Sequence, residues 1–306
     1  MGTPEPAVAS LKQLLHDGHE LVAVWTQPDK PAGRGDKVRS PPVKEFALAN
    51  GLSVEQPKKI RTDESKTLFA SYGADVAVVV AYGRILPSEF LKSPKQGCIN
   101  VHFSLLPKYR GAAPANWAIV RGEVETGVST MFIEEELDSG PILLQRETAI
   151  ADNETAPQLM QRLAGIGADL LSETLSRLNT LIPRSQVDED ATFAPLLTKE
   201  DGLINWADSA TNVERCVRGF QPWPNAYTTH RGKHVIIWTA QPETASTGNA
   251  EPGEVIAAHG DDLVIKAGED SALRIQELQP EAKRRMTVRD FLNGTHLKVG
   301  ESFGEV

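Results

Sequence analysis

The stretch DVAVVVA, residues 75–81, is the strongest fold signal in this sequence. After Asp75 every residue of the stretch is apolar, and four of the seven residues are valine. A short, uninterrupted run of β-branched residues is typical of a strand that is covered on both faces, as parallel strands are. The stretch therefore predicts an interior strand of a sheet that carries helices on both sides.

The segments around this strand alternate between β-type runs and helical patterns. The predicted helices are residues 7–16, 42–50, 63–72, 115–121 and 156–179. The predicted strands are residues 20–26, 75–81, 98–103, 127–133 and 142–148, with a short strand near Val54. Alternation of strands with helices favours the α/β class, with a mostly parallel, doubly wound sheet.

The pattern changes after residue 179. Residues 180–199 lose helical periodicity and contain two prolines and an acidic cluster, as expected of a linker. Residues 200–306 carry short β-type runs, among them HVIIWTA, GEVIAA, DLVIKAG and ALRIQELQ, separated by turn residues. This spacing predicts a small antiparallel β-barrel or sandwich. We expect a first domain over 1–179, a linker over 180–199 and a second domain over 200–306.

The first helical pattern begins directly after MGTPEP, with no strand before it. In an alternating α/β fold such a turn normally follows a strand of the sheet. Loss of an interior strand would expose two rows of backbone groups. We therefore expect that a few residues precede this sequence in the full-length protein, and that an added upstream apolar segment raises thermal stability.

Composition indicates an ordinary globular protein. The chain has 306 residues, of which 40% are hydrophobic and 24% are charged, close to globular averages. The two cysteines, Cys98 and Cys216, lie far apart in apolar surroundings, without metal-site spacing, which is typical of reduced thiols in the cytosol. There is no apolar run near the roughly 20 residues that span a bilayer and no signal-peptide pattern. We expect a cytoplasmic monomer.

Charge is unevenly distributed along the chain. The net charge of −9 argues against a protein that coats nucleic acid without specificity. Within this acidic chain, residues 30–44 and 283–289 are rich in lysine and arginine. These two basic segments are candidate contacts for a phosphate backbone, although most charged, glycine-containing loops are solvated surface.

The stretch GCINVHFSLLPKYRGAAP, residues 97–114, contains the main candidate for chemistry. If residues 98–103 form a strand, Asn100 and His102 point to the same face, because side chains alternate along a strand. Asp138, in EEELDSGPIL, lies in a predicted turn between two strands. The amide could stabilise charge on a carbonyl oxygen while the carboxylate orients the imidazole, which suits acyl transfer to an amine. The alternative is an ordinary hydrogen-bonded polar pair.

Other catalytic signals are weak. The sequence has no G-x-S-x-G motif, and neither cysteine has a local motif for a covalent nucleophile. His102 has no second ligand at close spacing, so a metal site is not indicated. The glycines of KPAGRGDK match neither a Walker loop nor a dinucleotide fingerprint.

A combination of motifs, taken in order, resembles the methionyl-tRNA formyltransferase family. The motifs are MGTPEPA, TQPDKPAGRG, VVVAYGRILP, CINVHFSLLPKYRGAAP, ETGVSTM, LDSGPIL, RGFQPWPNAYT and QPEAKRRMTVRDFLNG. The resemblance implies a Rossmann-like catalytic domain and an oligonucleotide-binding (OB)-like β-barrel. It also implies transfer of the formyl group of 10-formyltetrahydrofolate to the α-amine of methionyl initiator tRNA, without a metal.

The resemblance also assigns roles to residues of the first domain. It places Asn100, His102 and Asp138 on the family's catalytic residues. It places Ser104, Leu105, Leu106 and Pro107 on the folate-contacting turn, and it assigns Tyr82, Gly83, Ile85 and Leu86 to the wall of the pterin pocket.

The same resemblance identifies two tRNA-binding segments. Residues 30–39 match the family's RNA-inserting loop, with Lys30, Arg34, Lys37 and Arg39 as its basic side chains and Arg34 on its key arginine. Lys283, Arg284 and Arg285 would form a second strip of phosphate contacts, for which the alternative is a solvated face. Such contacts make binding sensitive to salt, and a loop that tests how easily the acceptor stem opens can discriminate between tRNAs.

Two rival functions share many of these features. Other formyl-folate enzymes, which act on glycinamide ribonucleotide, on sugar amines or by hydrolysis, have a similar catalytic domain. The basic PAGRG loop and the basic C-terminal segment favour the tRNA enzyme over them. The second rival is a catalytically silent RNA-binding protein, against which the intact Asn100, His102 and Asp138 argue.

Overall fold

The computed structural model describes residues 1–31, 38–244 and 249–304. Its helices are α1 (Glu5–His16), α2 (Pro42–Ala49), α3 (Asp63–Ser71), α4 (Ser88–Lys92), α5 (Pro114–Val120), α6 (Ala156–Arg177), α7 (Ala210–Gly219) and α8 (Val288–Thr295). Short 3-10 helices occupy Asp188–Asp190 and Glu200–Gly202.

The strands of the first half are β1 (Val24–Trp25), β2 (Lys30–Pro31), β3 (Val38–Arg39), β4 (Val54–Glu55), β5 (Ala77–Val79), β6 (Cys98–His102), β7 (Arg110–Gly111), β8 (Glu125–Phe132) and β9 (Ile142–Ala149). Those of the second half are β10 (Phe193–Ala194), β11 (Ala226–His230), β12 (Lys233–Glu243), β13 (Val255–His259), β14 (Asp262–Lys266), β15 (Ala272–Pro280) and β16 (Met286–Thr287).

The chain forms two compact units, and each is described here by itself. The first consists of Met1–Pro114, Glu125–Ala149 and Met160–Pro195. The second consists of Ala115–Val124, Ile150–Leu159 and Leu196–Val306. We keep 1–179, 180–199 and 200–306 as the proposed domain boundaries.

The first unit is built around a sheet of order β5-β6-β8-β9. The predicted apolar strand is confirmed as β5, which pairs in parallel with β6, while β1 pairs in parallel with β4. At the other edge β8 runs antiparallel to β6 and to β9. The connection from β8 to β9 is too short for the crossover of a dozen or more residues that a parallel pair requires. An α/β unit is thus confirmed, with both kinds of pairing in its sheet.

Aromatic packing stabilises the first unit beside β5. Phe90 is fully buried, stacks on Phe69 with ring centroids 4.1 Å apart and meets the edge of Trp25 at 5.5 Å. Such aromatic pairs contribute about 0.5 to 1.5 kcal/mol beyond the area they bury. This aromatic cluster packs with Ala77 and Val79 of β5 and with Cys98 at the start of β6.

Helix α6 confirms the long helix predicted from leucine spacing. Leu163, Leu170 and Leu171 are buried. A Cβ atom at Gly167 would lie 2.9 Å from Cγ1 of Val101, so the glycine allows α6 to approach β6 closely. This contact supports β6 from the side opposite the candidate site's loops.

The second unit is dominated by an antiparallel sheet of order β11-β12-β15-β14-β13, with β16 added on β15. Its core includes the fully buried Ile237, Leu263 and Ile275. The four quoted β-type runs lie in β12, β13, β14 and β15, as predicted. The sequence pattern did not predict α7, whose first turn is capped by the hydroxyl of Ser209.

No helix in residues 1–31, 38–244 or 249–304 combines the length and the apolar character that crossing a membrane requires.

Candidate active site

Strand β6 brings Asn100 and His102 to one carboxylate, that of Asp138. The Nδ2 atom of Asn100 donates to Oδ1 of Asp138 over 3.4 Å, and Nδ1 of His102 lies 3.6 Å from Oδ2 of the same residue. Because both side chains reach one carboxylate, they share a face of the strand as alternation predicts. His102 is only 5% exposed, whereas Asn100 is half-buried.

The second nitrogen of His102 is also engaged. Nε2 lies 2.9 Å from the carbonyl oxygen of Tyr109. A carbonyl can only accept, so Nε2 carries a hydrogen. Nε2 of His102 is thus engaged within the protein, and the half-buried amide of Asn100 is a further side-chain donor at this position.

Asp138 is held by its backbone as well as by its carboxylate. Its φ of 52° lies in the left-handed region, which costs a non-glycine residue roughly 1 to 2 kcal/mol. Its Oδ2 accepts the backbone N–H of Gly111 at 2.9 Å, and its carbonyl oxygen accepts the Gln186 side-chain amide at 2.8 Å. These bonds aim the carboxylate at β6.

The predicted folate turn, Ser104–Pro107, is fastened by two neighbouring strands. The hydroxyl of Ser129 donates to the Ser104 carbonyl at 2.7 Å and accepts the Leu106 N–H at 3.1 Å. The amide of Gln145 donates to the Leu106 carbonyl at 2.9 Å. The Ser104 and Leu106 side chains are buried, whereas Leu105 and Pro107 are partly exposed. In this turn the Leu105 and Pro107 side chains are therefore the parts most accessible to a ligand.

The predicted pterin-pocket residues divide into two groups. Tyr82 and Leu86 are buried in the aromatic core of the first unit, whereas Gly83 is exposed and Ile85 is 63% exposed. The side-chain amide of Gln27 donates to the Tyr82 and Gly83 carbonyls at 3.0 and 3.1 Å. The structure therefore makes Gly83 and Ile85 accessible and gives Tyr82 and Leu86 a supporting position.

The Tyr82 hydroxyl is buried, and among the described residues it has no hydrogen-bond partner. Burial raises the pKa of Tyr82 above its ordinary value. This side chain is therefore a neutral phenol and is not a candidate base.

The predicted RNA-inserting loop is only partly described. Lys30 and Arg39 are exposed and face each other in the antiparallel pair β2-β3. Arg34 and Lys37 lie outside the described residues.

The second predicted tRNA segment lies in the turn between β15 and β16. Lys283, Arg284 and Arg285 are exposed. Arg285 is committed to neighbours within its own unit: Nε lies 3.1 Å from Oε2 of Glu277, and the guanidinium lies 5.0 Å from the ring centroid of Trp238. Among the described residues no ion pair is found for Lys283 or Arg284, which makes these two the stronger candidates for phosphate contacts.

The cysteines do not fit a nucleophilic role. Burial raises the pKa of the Cys98 and Cys216 thiols to about 12, and a thiol in that state is inert. Within the ranges the structure describes, no three His, Cys, Asp or Glu side chains converge in a way that would hold a metal ion.

Several residues of the site had no sequence signal. Ser129 and Gln145 lie in ordinary strand patterns, and Gln186 lies in the predicted linker. Gly111 follows Tyr109 and Arg110 in the quoted stretch, and its N–H contacts Asp138 only after folding. The glycine was visible, but the contact depends on residues far away in the sequence.

This fold and site belong to a formyl transferase. The sequence matches the family described as "Formyl transferase" over residues 1–175 and the family described as "Formyl transferase, C-terminal domain" over residues 196–296. A protein of Caldanaerobacter subterraneus subsp. tengcongensis is 48% identical over 98% of this chain and 97% of its own length. A protein of Acetivibrio thermocellus is 45% identical over 100% of this chain and 98% of its own length. Both are named methionyl-tRNA formyltransferase.

The chain belongs to the methionyl-tRNA formyltransferase family, and the resemblance inferred from its motifs is confirmed. Among solved structures, an N-formyltransferase from Helicobacter canadensis, in complex with folinic acid and dTDP-3-aminofucose, superposes with a TM-score of 0.67. The two sequences are 20% identical, and the superposition covers 90% of this chain and 97% of the other protein. At that identity the likeness concerns the fold, and it agrees with the Rossmann-like class predicted for the first half.

Proposed function

We propose that this protein transfers the formyl group of 10-formyltetrahydrofolate to the α-amine of methionine esterified to initiator tRNA. The observation that carries the proposal is the convergence of Asn100 and His102 on Asp138 beside the turn Ser104–Pro107. Membership of the family supplies the donor and the acceptor, and the local geometry suits formyl transfer to an amine.

The donor supplies an activated formyl carbon. In the transfer a bond forms between that carbon and the amine nitrogen, and the bond from the carbon to N10 of the folate breaks. Negative charge develops on the formyl oxygen, where the Nδ2 group of Asn100 donates a hydrogen bond. Removing one preorganised donor from such a site costs on the order of a hundredfold in rate or more.

Asp138 and His102 carry out the proton transfer from the attacking amine. The Tyr109 carbonyl holds the hydrogen of His102 on Nε2, so Nδ1 faces the Asp138 carboxylate. This pair accepts the proton that the amine loses, and N10 of the folate takes one up as it leaves. Neither step needs a covalent enzyme intermediate, in keeping with the high pKa of both thiols.

Donor and acceptor contact different residues in this proposal. The turn Ser104–Pro107, through the Leu105 and Pro107 side chains, binds the folate together with Gly83 and Ile85. Lys30, Arg34, Lys37 and Arg39 contact the acceptor stem, and Lys283 and Arg284 contact phosphates, with Arg285 supporting that turn through Glu277. We further propose that the protein acts as a monomer in the cytoplasm.

The test is formylation of methionyl initiator tRNA, measured with 10-formyltetrahydrofolate and with free glycinamide ribonucleotide as a competing acceptor. Wild type, Asn100→Ala and Arg34→Ala are compared. We expect wild type to formylate the tRNA and Asn100→Ala to lose at least about a hundredfold in kcat. Arg34→Ala is expected mainly to raise the KM for tRNA.

Two outcomes would overturn parts of the proposal. If glycinamide ribonucleotide is formylated and the tRNA is not, the folate chemistry stands and the acceptor is wrong. If wild type binds the tRNA but transfers no formyl group to either acceptor, the protein is a silent RNA-binding member of the family.

A further inference from the structure

Residues 184–194 lie inside the predicted linker and contact two segments of the candidate active site. One is the loop between β8 and β9 that carries Asp138, and the other is β7, which contains Gly111. The backbone of Arg184 pairs with Ile142, with N–H to carbonyl distances of 2.8 Å in both directions. Further along, β10 pairs in parallel with β7, which places Ala194 beside Gly111. We call residues 184–194 the strap; all of them, and all the residues they contact here, belong to the first compact unit.

Gln186 lies at the centre of the strap, and its side chain joins these two segments. Its Nε2 group donates to the carbonyl oxygens of Asp138 and Gly140 at 2.8 and 2.7 Å. Its Oε1 atom accepts from Nε of Arg110 at 3.0 Å. One amide thus uses both of its N–H groups on the loop that carries Asp138 and its oxygen on the residue next to Gly111.

The Arg110 end of this connection is firmly anchored. Arg110 is only 6% exposed, and its guanidinium lies 2.9 Å from Oδ1 of Asp188, another strap residue. Its backbone N–H donates to the Thr192 carbonyl at 2.9 Å. A Cβ atom at Gly111 would lie 2.4 Å from the Ala194 carbonyl oxygen, so only glycine fits against the strap at that position.

The Asp138 end is held by contacts to its carboxylate and to its backbone carbonyl. Its left-handed φ of 52° is an unfavourable conformation for aspartate. Its carboxylate meets the Asn100 amide, Nδ1 of His102 and the Gly111 N–H, and the Gln186 amide holds its backbone through the carbonyl. Without the Gln186 amide, we expect the loop that carries Asp138 to relax and the Asp138 carboxylate to rotate away from Nδ1 of His102.

We propose that Gln186 is a positioning residue for formyl transfer, which holds Asp138 in its strained conformation and so aims its carboxylate at His102 and Asn100. This inference rests on the proposed function, since it assigns Gln186 to the same site. The inference extends the proposed function, because it gives the strap a role in positioning the catalytic residues. Gln186 acts through Asp138 and does not contact substrate.

The kinetic test compares Gln186→Ala with Ser185→Ala, a matched control whose side chain is exposed on the same segment. We expect Gln186→Ala to lower kcat about tenfold or more, since small misplacements of a reacting group are costly. The KM values for folate and tRNA should stay within about twofold, because neither ligand contacts Gln186. Ser185→Ala should match wild type, and both variants should melt cooperatively.

A double-mutant cycle separates positioning from general destabilisation. If Gln186 acts through Asp138, Gln186→Ala should cost no more than about twofold in an Asp138→Asn background, measured in single turnover. An equal loss in both backgrounds would show that Gln186 acts elsewhere and would overturn the inference.

A third measurement does not depend on activity. Hydrogen exchange at the Gly111 amide should be about tenfold faster in Gln186→Ala than in wild type and unchanged in Ser185→Ala, because that amide donates to the Asp138 carboxylate. Unchanged exchange in Gln186→Ala would refute the positioning role. An inactive wild type with accelerated exchange in the variant would instead refute the proposed function and leave the strap's role standing.

Discussion

The α-amine of Met1 gives the sharpest stability prediction. In a chain that begins at Met1, this amine donates to the Val78 carbonyl at 2.6 Å. Burial lowers its pKa from 8.0 to about 6. The unfolded chain therefore binds the proton more tightly than the folded one, and protonation opposes folding.

The size of the effect follows from the shift. A shift of about two pKa units corresponds to an upper limit of roughly 3 kcal/mol. Below about pH 6 the amine is charged in both states and the full cost applies, whereas above pH 8 it is neutral in both and the cost is absent. The free energy of unfolding should therefore rise by about 2 kcal/mol from this group between pH 6 and pH 8.

The prediction is tested by comparing the chain that begins at Met1 with a variant that carries a short apolar extension upstream of Met1. The extension converts the amine to a peptide group and so removes this source of pH dependence. It also places apolar side chains at a cavity of about 390 Å³ lined by Leu11, Leu14, Val24 and Val78, among others. Gly2 already pairs in parallel with Val80 at this position, so an extension can continue that strand.

The assay is urea denaturation of both chains at pH 5.5, 7 and 8.5. Any pH dependence that the two chains share cancels in the difference between them. We expect the extended chain to be more stable at every pH, with an advantage about 2 kcal/mol larger at pH 5.5 than at pH 8.5. An advantage that does not change with pH would refute the argument about the amine, and equal free energies of unfolding for the two chains at pH 8.5 would refute the benefit of filling the cavity.

Two further predictions concern packing and the folate turn. Phe90→Ala should lower the free energy of unfolding by about 3 to 5 kcal/mol, and Phe90→Leu should lower it by clearly less. The measurement is urea denaturation followed by tryptophan fluorescence. Similar losses for the two variants would contradict a packing role for the stacked ring. Ser129→Ala leaves the Leu106 N–H without its partner, a loss of about 1 to 3 kcal/mol for a buried donor, and should raise the KM for the folate about tenfold in steady-state kinetics. Ser176→Ala, an exposed hydroxyl that donates to its own helix, is the control, and equal KM values for the two variants would contradict the role given to Ser129.

The predictions that came closest to the structure rest on local periodicity. The apolar run at residues 75–81 becomes β5, although its regular pairing is limited to Ala77–Val79. The leucine spacing after Ala156 becomes α6. Helix α7 was missed because its sequence, ATNVERCVRG, mixes β-branched and polar residues, and its amphipathic face becomes evident only when the sheet packs against it.

For the candidate site, the sequence by itself determined that Asn100 and His102 share a face, because side-chain alternation depends only on the strand that contains them. The motifs also proposed Asp138 as the third member, but only tertiary structure decided the contacts that hold it there: Gly111 donates to its carboxylate and Gln186 holds its backbone. These contacts join residues 27 to 48 positions apart in the sequence. No local pattern encodes such contacts, because they exist only once the sheet and the strap have set the distances between their backbones.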